Sequence, residues 1–233
     1  MNSRLRLIAQ CALVAVAGGL IALLLLSVMH ARLDDPWMQH FDLGIQAGVH
    51  GWTNPALTQM MRLLTFIGSI EVFIPTLIVA VVVLLSIGEK EQGRRLVRKR
   101  EVSGIFGLAI GGAILLNEVF KVHFHRARPK VPWAIGDEHT FSFPSGHSLF
   151  SMVLYGLIAY LVLGRRGRPL RHLVVVFAAA ALVIGIGLSR IYLGEHFPSD
   201  VLAGYMTGLV WVAGVVGMDR AWRAQAHSPA ARR

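Results

Sequence analysis

The chain has 233 residues, of which 55% are hydrophobic and only 15% are charged, and its mean hydropathy is +0.58. Because soluble domains carry about a quarter charged residues, this composition is typical of an integral membrane protein and argues against a soluble domain. The formal net charge is +10. The positive residues collect in short segments between apolar stretches, which indicates membrane topology rather than nucleic-acid binding. The length suits a single domain, residues 1–233.

The first predicted span covers about residues 5–29. Arg4 and Arg6 precede it, and the apolar stretch is longer than a signal-peptide core, which is typically about 7–15 residues. We therefore expect an uncleaved helix. The only cysteine, Cys11, lies in this stretch, so the sequence predicts no disulfide framework.

Residues 32–69 mix polar and apolar side chains and lack the continuous apolar length of a span. Two aspartates before Pro36 are a helix-start signal, and apolar residues then recur at helical spacing: Trp37, Phe41, Ile45 and Val49. A second helix is predicted over about 55–67. We place both helices in the membrane interface, with Trp37 and Trp52 at headgroup depth. A small lid packed on the protein is an equal alternative and does not exclude the first.

The remaining apolar stretches predict spans over about 70–87, 102–120, 146–163, 172–188 and 201–218, followed by a C-terminal tail, 219–233. Pro75 is tolerable inside a membrane helix because neighbouring helices satisfy the freed carbonyl. The predicted fold is all-α: a polytopic integral membrane protein with six transmembrane helices and short interfacial helices between the first and second spans.

The orientation follows from the positive-inside rule. With six spans, both termini and the segments 89–101 and 164–171 fall on one side, and all four are rich in arginine. That side is predicted to be cytoplasmic, so the other loops face outward. Eight of the ten histidines lie on this outer face: His30, His40, His50, His123, His125, His139, His147 and His196. Basic residues lie there against the topological trend, which suggests an anionic ligand.

The first basic segment is Lys121 to Arg128. Lysine supplies a mobile point charge and arginine a planar fork suited to phosphate oxygens. Snorkelling explains Lys121 equally well when it is considered alone. Glu118 lies about one helical turn earlier, where it could pair with Lys121. We expect Arg126 and Lys130 to be rim charges.

The second segment is Pro144-Ser145-Gly146-His147. Proline is favoured in the first turn of a helix, and Ser145 is suited to cap the exposed amides. Such a helix start offers free N–H groups and a positive dipole end to an anion, and Gly146 lets the backbone approach closely. His147 would project beside that anion as an acid or a base. An ordinary helix start would look similar.

The third segment runs from Ser189 to Asp200. Pro198 indicates a helix start, so a carboxylate at Asp200 lies in the first turn and can reach back to one nitrogen of His196. That contact would fix the tautomer and leave the other nitrogen free as a nucleophile. The alternative, of equal weight for this segment alone, is that Asp200 caps the helix and His196 is a loop residue.

Together the three segments resemble the signature of the type 2 phosphatidic acid phosphatase superfamily of membrane lipid phosphatases. The pattern reads Lys121-x6-Arg128-Pro129, then Pro144-Ser145-Gly146-His147, then Ser189-Arg190-x5-His196-x3-Asp200. The motifs occur in the family's order on one predicted face. The motifs themselves span about residues 121–200, and the six-span layout extends the resemblance to most of the chain.

The resemblance implies a role for each motif position. His196 would attack phosphorus and form a phosphohistidine, oriented by Asp200. His147 would protonate the leaving oxygen, and its neutral form would then activate water. The phosphate-binding set would be Lys121, Arg128, Ser145, Gly146 and Arg190. These cations would replace metal ions, so we expect no cofactor.

A metal site is one rival interpretation, because His123, His125, Asp137, Glu138 and His139 carry zinc-type ligands. A cluster of arginine and lysine would repel a cation, and the spacing of these ligands is not that of a zinc site. A second rival is a non-hydrolytic lipid carrier or anion transporter, which needs the cations but not the two histidines and the aspartate as a set. Soluble vanadate-dependent haloperoxidases share the pattern, but the membrane composition argues against that branch.

The predicted partner is a lipid phosphate in the membrane, and the sequence predicts no oligomeric state. An outward-facing site favours undecaprenyl pyrophosphate, a carrier lipid released during wall synthesis. Phosphatidylglycerol phosphate and phosphatidic acid are the alternatives. The expected location is a bacterial inner membrane, with the active site facing the periplasm or the exterior.

Overall fold

The computed structural model describes residues 3–86, 92–135, 140–163 and 169–226. Every regular element within these ranges is an α-helix. The helices are α1 (Ser3–His30), α2 (Pro36–His50), α3 (Pro55–Ile67), α4 (Ile70–Ser86), α5 (Gln92–Phe124), α6 (Gly146–Leu163), α7 (Pro169–Tyr192) and α8 (Pro198–Ala226).

Five of the described helices contain segments long and apolar enough to cross a membrane: Ala9–His30, Gly107–Phe124, Gly146–Leu163, Pro169–Tyr192 and Pro198–Trp222. A sixth candidate consists of α3 and the first part of α4, which meet at a bend of 53°. The predicted all-α, multi-pass membrane architecture is confirmed. The short helices α2 and α3 lie between the first span and α4, as expected.

Three helices extend beyond the predicted spans. The basic segment predicted as a loop over 89–101 is helical from Gln92 onward, so that expectation was wrong for most of its length. Lysine, arginine, glutamine and glutamate are strong helix formers, and a helix continues past the apolar stretch that hydropathy detects. Both α7 and α8 likewise extend past 172–188 and 201–218. Arg190 therefore lies in the last turn of α7, and Asp200 lies in the first turn of α8, as the sequence predicted.

The α2 helix turns a mixed polar face toward the protein. Its buried residues are Met38, Asp42, Gln46 and Val49. Of the predicted apolar stripe, Trp37 and Ile45 are exposed and only Val49 is fully buried. This arrangement suits a membrane environment, where apolar side chains can face lipid and polar ones need partners inside the protein.

The core lies between α6 and α8, with α1 and α5 packed against them. Trp211 of α8 is buried, and its indole N–H donates a hydrogen bond to the Ala109 carbonyl oxygen on α5 at 3.0 Å. Gly112 makes room for this ring, because a Cβ there would lie 1.8 Å from a ring atom. The contact fixes α5 against α8, so the ends of these helices lie near each other at the site.

Close packing at Gly204 gives a first testable expectation. A Cβ at this position of α8 would lie 2.5 Å from the Ser145 carbonyl oxygen and 2.8 Å from Ser148 Cβ. We expect Gly204→Ala to lower the free energy of unfolding by about 1–3 kcal/mol through overpacking. Thermal unfolding in detergent micelles measures this. Gly217→Ala, on the same helix with nothing within 4 Å, is the matched control, and equal stability of the two variants would contradict the packing.

Candidate active site

One end of the helix bundle collects the three polar segments. Lys121 lies in the last turn of α5, His147 in the first turn of α6, Arg190 in the last turn of α7 and Asp200 in the first turn of α8. The backbone N–H of Ser145 donates to the Asp200 carbonyl oxygen at 3.0 Å. This bond joins the start of α6 to the start of α8, so the second and third segments share one site.

His196 and Asp200 form a buried pair at the centre of the site, with side chains 2% and 0% exposed. The Nδ1 atom of His196 lies 3.5 Å from Asp200 Oδ2. The same carboxylate oxygen accepts hydrogen bonds from the Phe197 backbone N–H at 2.8 Å and from the Ser142 hydroxyl. With Nδ1 turned toward the carboxylate, Nε2 faces the guanidinium of Arg128 at 3.5 Å.

The charge state of His196 follows from its surroundings. Burial lowers the pKa of His196 to about 4, and the positive charges of Arg190 and Arg128 act in the same direction. The hydrogen bond to Asp200 raises this pKa but does not outweigh burial. The imidazole is therefore neutral at pH 7, with its proton on Nδ1 toward Asp200 and a lone pair on Nε2.

The low pKa of His196 predicts the acid limb of the rate profile. A histidine nucleophile with a depressed pKa stays neutral as the pH falls. Its reactive lone pair becomes protonated only near pH 4. Asp200→Asn removes the interaction that raises this pKa, so the acid limb of kcat/KM should move to lower pH, while kcat falls by about 10²- to 10⁴-fold. The substrate has its own ionisation near pH 6, about the same in both proteins, so only the difference between the profiles is informative. A limb that moves to higher pH would contradict this charge assignment.

Glu195 links two arginines of the predicted phosphate-binding set. Its Oε2 accepts hydrogen bonds from Arg128 Nη1 at 3.2 Å and from Arg190 Nη2 at 3.1 Å. Arg128 also donates to the Thr140 carbonyl and hydroxyl oxygens at 3.0 and 2.8 Å, and Arg190 donates to the Thr65 hydroxyl on α3. These contacts fix both guanidinium groups beside His196.

Lys121 and His147 lie beside these arginines in the site. Arg128, Arg190 and Asp200 lie close enough to Lys121 for their charges to act on its ammonium group. His147 is half-buried and lies within the same range of the three cations and His196. Glu118 is also close enough for its charge to act on Lys121, although no ion pair between the two is among the contacts of the described residues. Glu118 instead accepts a hydrogen bond from the Asn117 amide at 2.7 Å.

The start of α6 offers polar atoms without partners. The Ser145 hydroxyl is fully buried and forms no hydrogen bond with the described residues, so the predicted side-chain cap of α6 is not formed. Pro144 precedes the helix rather than lying in its first turn, because α6 begins at Gly146. At the end of α7, Arg190 Nε is also buried and has no hydrogen-bond partner among the described residues. Buried donors are normally satisfied, so these two atoms are available to a ligand that accepts hydrogen bonds.

Arg126 is not the rim charge that the sequence suggested. Its Nη2 donates to Asp42 Oδ2 at 2.8 Å, and its Nη1 donates to Asp200 Oδ1 at 2.5 Å. The guanidinium also lies 4.2 Å from the centre of the Phe197 ring. The sequence could not show this, because Asp42 is 84 residues away along the chain.

Sequence reasoning missed several residues at this site: Asp42, Thr65, Asn117, Ser142 and Glu195. None of them belongs to a motif position. A carboxylate directly before His196 was the only available signal, since a charged residue between two predicted site residues has to find a partner when the segment is buried. The other four depend on contacts between helices that are distant in sequence.

The described residues contain no group of three histidine, cysteine or carboxylate side chains placed to hold a metal ion. Three of the residues that could ligate zinc in the alternative interpretation lie outside the described residues: Asp137, Glu138 and His139. The site that is described has the chemistry of an anion pocket. It combines three cations, unpartnered hydrogen-bond donors and a neutral histidine backed by a carboxylate.

The sequence and structure are similar to known membrane phosphatases. A family model described as the PAP2 superfamily matches residues 103–224. The chain is 30% identical over 193 residues to phosphatidylglycerophosphatase B of Bacillus subtilis (strain 168), which covers 82% of this chain and 90% of that protein.

Two solved structures show the same architecture. The crystal structure of a transmembrane PAP2-type phosphatidylglycerolphosphate phosphatase from Bacillus subtilis matches with a TM-score of 0.73 and 27% identity, over 87% of this chain and 96% of that one. The crystal structure of Aquifex aeolicus LpxE matches with a TM-score of 0.54 and 24% identity, over 77% and 94% of the two chains. At that identity the second match shows a common fold.

Proposed function

Because this chain belongs to the PAP2 superfamily and is a membrane lipid phosphatase, we propose that it releases phosphate from a lipid through a phosphohistidine at His196. The observation that carries the proposal is the placement of His196. Its Nδ1 faces the Asp200 carboxylate and its Nε2 faces Arg128, each at 3.5 Å. A neutral imidazole held in this way directs its lone pair toward a phosphoryl group bound by Arg128.

In the first step, the Nε2 lone pair of His196 attacks phosphorus and the bond to the lipid oxygen breaks. The imidazole becomes positive, and the Asp200 carboxylate stabilises this charge through Nδ1–H. His147, in its protonated form, donates a proton to the leaving oxygen. A phosphate group on the substrate adds negative charge beside His147, which favours that protonated form.

In the second step, the neutral His147 accepts a proton from water as the water oxygen attacks phosphorus. The bond between phosphorus and Nε2 breaks, and the electron pair returns to His196. Phosphate leaves, His147 holds a proton again, and the site is ready for the next lipid. The same histidine therefore acts as acid and then as base.

The phosphoryl oxygens would be held by Lys121, Arg128 and Arg190 together with the unpartnered Ser145 hydroxyl and the backbone at Gly146. Positioning and charge stabilisation are the main requirements of phosphoryl transfer. These groups supply both, which is why we expect turnover to persist when divalent metal ions are chelated.

Phosphatidylglycerol phosphate is the first candidate substrate. The relative that is 30% identical to this chain is named phosphatidylglycerophosphatase B. A phosphate monoester, which carries a charge of about −1.5 to −2 at pH 7, could be held by the three cations Lys121, Arg128 and Arg190.

Undecaprenyl pyrophosphate is the second candidate. A diphosphate has a second phosphoryl group, and the exposed Lys130 is a further cation that could bind it. The predicted outward orientation is the observation that favours this lipid. Phosphatidic acid is a monoester as well and remains a third candidate.

A substrate panel tests the function directly. Purified full-length protein in excess EDTA should release phosphate from phosphatidylglycerol phosphate faster than from undecaprenyl pyrophosphate or phosphatidic acid at equal lipid mole fraction. His196→Ala, assayed with each lipid, measures contaminating phosphatase. Faster release from undecaprenyl pyrophosphate would reverse the ranking. No release from any lipid, or release only with added divalent metal, would contradict the proposed mechanism.

The orientation of the site is also a proposal, with both termini cytoplasmic and the site on the periplasmic or outer face. The proposal rests on the arginine-rich termini and the segments 89–101 and 164–171, which are predicted to lie on the other side of the membrane from the site. A single cysteine introduced at residue 139, in a variant lacking Cys11, should react with a membrane-impermeant maleimide in intact spheroplasts. Labelling only after lysis would place the active site on the cytoplasmic side.

A further inference from the structure

One buried carboxylate at the site belongs to none of the three motif segments. Asp42 lies on α2 and is 1% exposed. Its Oδ2 accepts hydrogen bonds from Arg126 Nη2 at 2.8 Å and from the Ser199 hydroxyl at 2.6 Å. Its Oδ1 accepts from the Ser199 backbone N–H at 2.9 Å. All of these partners adjoin the His196–Asp200 pair.

Arg126 connects the two carboxylates. One terminal nitrogen donates to Asp42, and the other donates to Asp200 and to the Ser199 hydroxyl at 2.5 and 2.7 Å. Both ends of the planar guanidinium are therefore occupied, and its face is covered by Phe197. Arg126 is turned away from the position of a phosphoryl group and toward the support of the nucleophile.

The two oxygens of Asp200 consequently have separate partners. Oδ1 is held by Arg126, whereas Oδ2 faces His196 Nδ1, the Ser142 hydroxyl and the Phe197 N–H. The orientation of the carboxylate thus depends on the guanidinium. If Asp42 were neutral, the full charge of Arg126 would act on Asp200 alone, and the carboxylate would stabilise a positive imidazole less well.

We infer that Asp42 is a positioning residue for phosphoryl transfer: it holds Arg126 in the orientation in which Arg126 fixes Asp200 behind His196. The inference rests on the proposed function, in which His196 is the nucleophile. It assigns to α2 a role in the chemistry through Asp42, which lies outside all three motif segments and acts on Asp200 through Arg126. Substrate binding would be largely independent of this chain, because Lys121, Arg128 and Arg190 do not contact Asp42.

The test compares Asp42→Asn, Arg126→Gln and the double variant in the full-length enzyme. Asparagine keeps an acceptor for the Ser199 N–H, so α2 can still dock. Using phosphatidylglycerol phosphate in mixed micelles, we expect Asp42→Asn to lower kcat on the order of 10²-fold and to change KM by less than about threefold. Because Asp42 acts through Arg126, the double variant should be no slower than Arg126→Gln alone.

Two further variants separate positioning from folding. Asp219→Asn removes another carboxylate of α8 that is 2% exposed and bonded to Tyr160, about 28 Å along the helix from Asp200, and it should retain the wild-type kcat. Arg126→Lys keeps the charge but cannot bridge both carboxylates, so it should lose kcat with KM unchanged even where Asp42→Asn fails to fold.

The inference is overturned if Asp42→Asn or Arg126→Lys turns over like the wild type, or if the losses in the double variant multiply. A fall in kcat of Asp219→Asn equal to that of Asp42→Asn would also overturn it, since the effect would then be that of any buried carboxylate. An inactive wild-type enzyme would instead contradict the proposed function itself. The two failures are therefore distinguishable.

Discussion

Replacing His196 with alanine should reduce kcat for lipid phosphate hydrolysis by about 10⁴-fold or more, the loss seen when a covalent nucleophile is removed. The affinity for lipid should change little, because Lys121, Arg128 and Arg190, the proposed phosphate-binding residues, remain in place. Phosphate release under saturating lipid, together with equilibrium binding of the same lipid, measures the two effects separately.

His125→Ala is the matched control for this substitution. His125 is also a histidine at the same end of the bundle, but it is exposed and makes an edge-to-face contact with Phe141. We expect it to keep wild-type turnover. A His196→Ala variant that retained more than about one hundredth of the activity would require another nucleophile. A carrier would bind or transport lipid normally without His196 and would show no hydrolysis in the wild type.

Replacing His147 with glutamine should lower kcat for lipid substrates by about 10²- to 10⁴-fold, the usual contribution of a general acid or base. The two steps can be separated with 4-nitrophenyl phosphate, whose leaving group needs no proton. His196 in this variant should still be phosphorylated, but water should not be activated to release the phosphate. Stopped-flow absorbance should therefore show a burst of nitrophenolate equal to the enzyme concentration, followed by a slow steady state.

The His147 prediction has its own control in His123→Gln, an exposed histidine that contacts the edge of Phe124 and should behave as the wild type. A His147→Gln variant that is slow with the aryl phosphate and shows no burst would mean that His147 is needed before phosphorylation. A variant with wild-type turnover would remove His147 from the mechanism.

The sequence predicted the membrane architecture because hydropathy measures the property that a bilayer selects. The apolar stretches and the short helices α2 and α3 were all located from their side chains. Helix ends were predicted less well. The α5 helix begins at Gln92, because the polar residues before the span are good helix formers and carry no hydropathy signal.

The motif residues were predicted because their spacing is local, whereas their supporting contacts are not. Lys121, His147, Arg190 and Asp200 lie where the spacing placed them, at helix ends. Asp42 was not predicted because its partners Arg126 and Ser199 lie 84 and 157 residues away along the chain. Arg126 was misassigned as a rim charge because its two carboxylate partners lie 84 and 74 residues away.

Glu195 shows a different limit. Its position beside His196 was visible, but its bridge between Arg128 and Arg190 depends on how the end of α7 approaches the loop after α5. The same limit applies to Ser145, whose cap was expected from residue type. The hydroxyl is buried and unpartnered among the described residues. Both positions required the packing of helices, which local sequence does not determine.

The central claim is the covalent phosphohistidine, and rapid-quench labelling tests it most directly. Enzyme mixed with lipid carrying ³²P in its terminal phosphate, quenched in base within milliseconds and digested, should yield one labelled peptide containing His196. The label should be stable in base and labile in acid, and it should be absent from His196→Ala. With 4-nitrophenyl phosphate carrying ³²P, whose leaving group needs no proton, the label should accumulate in His147→Gln. Label on another residue, or none in His147→Gln while phosphate is released, would contradict the account.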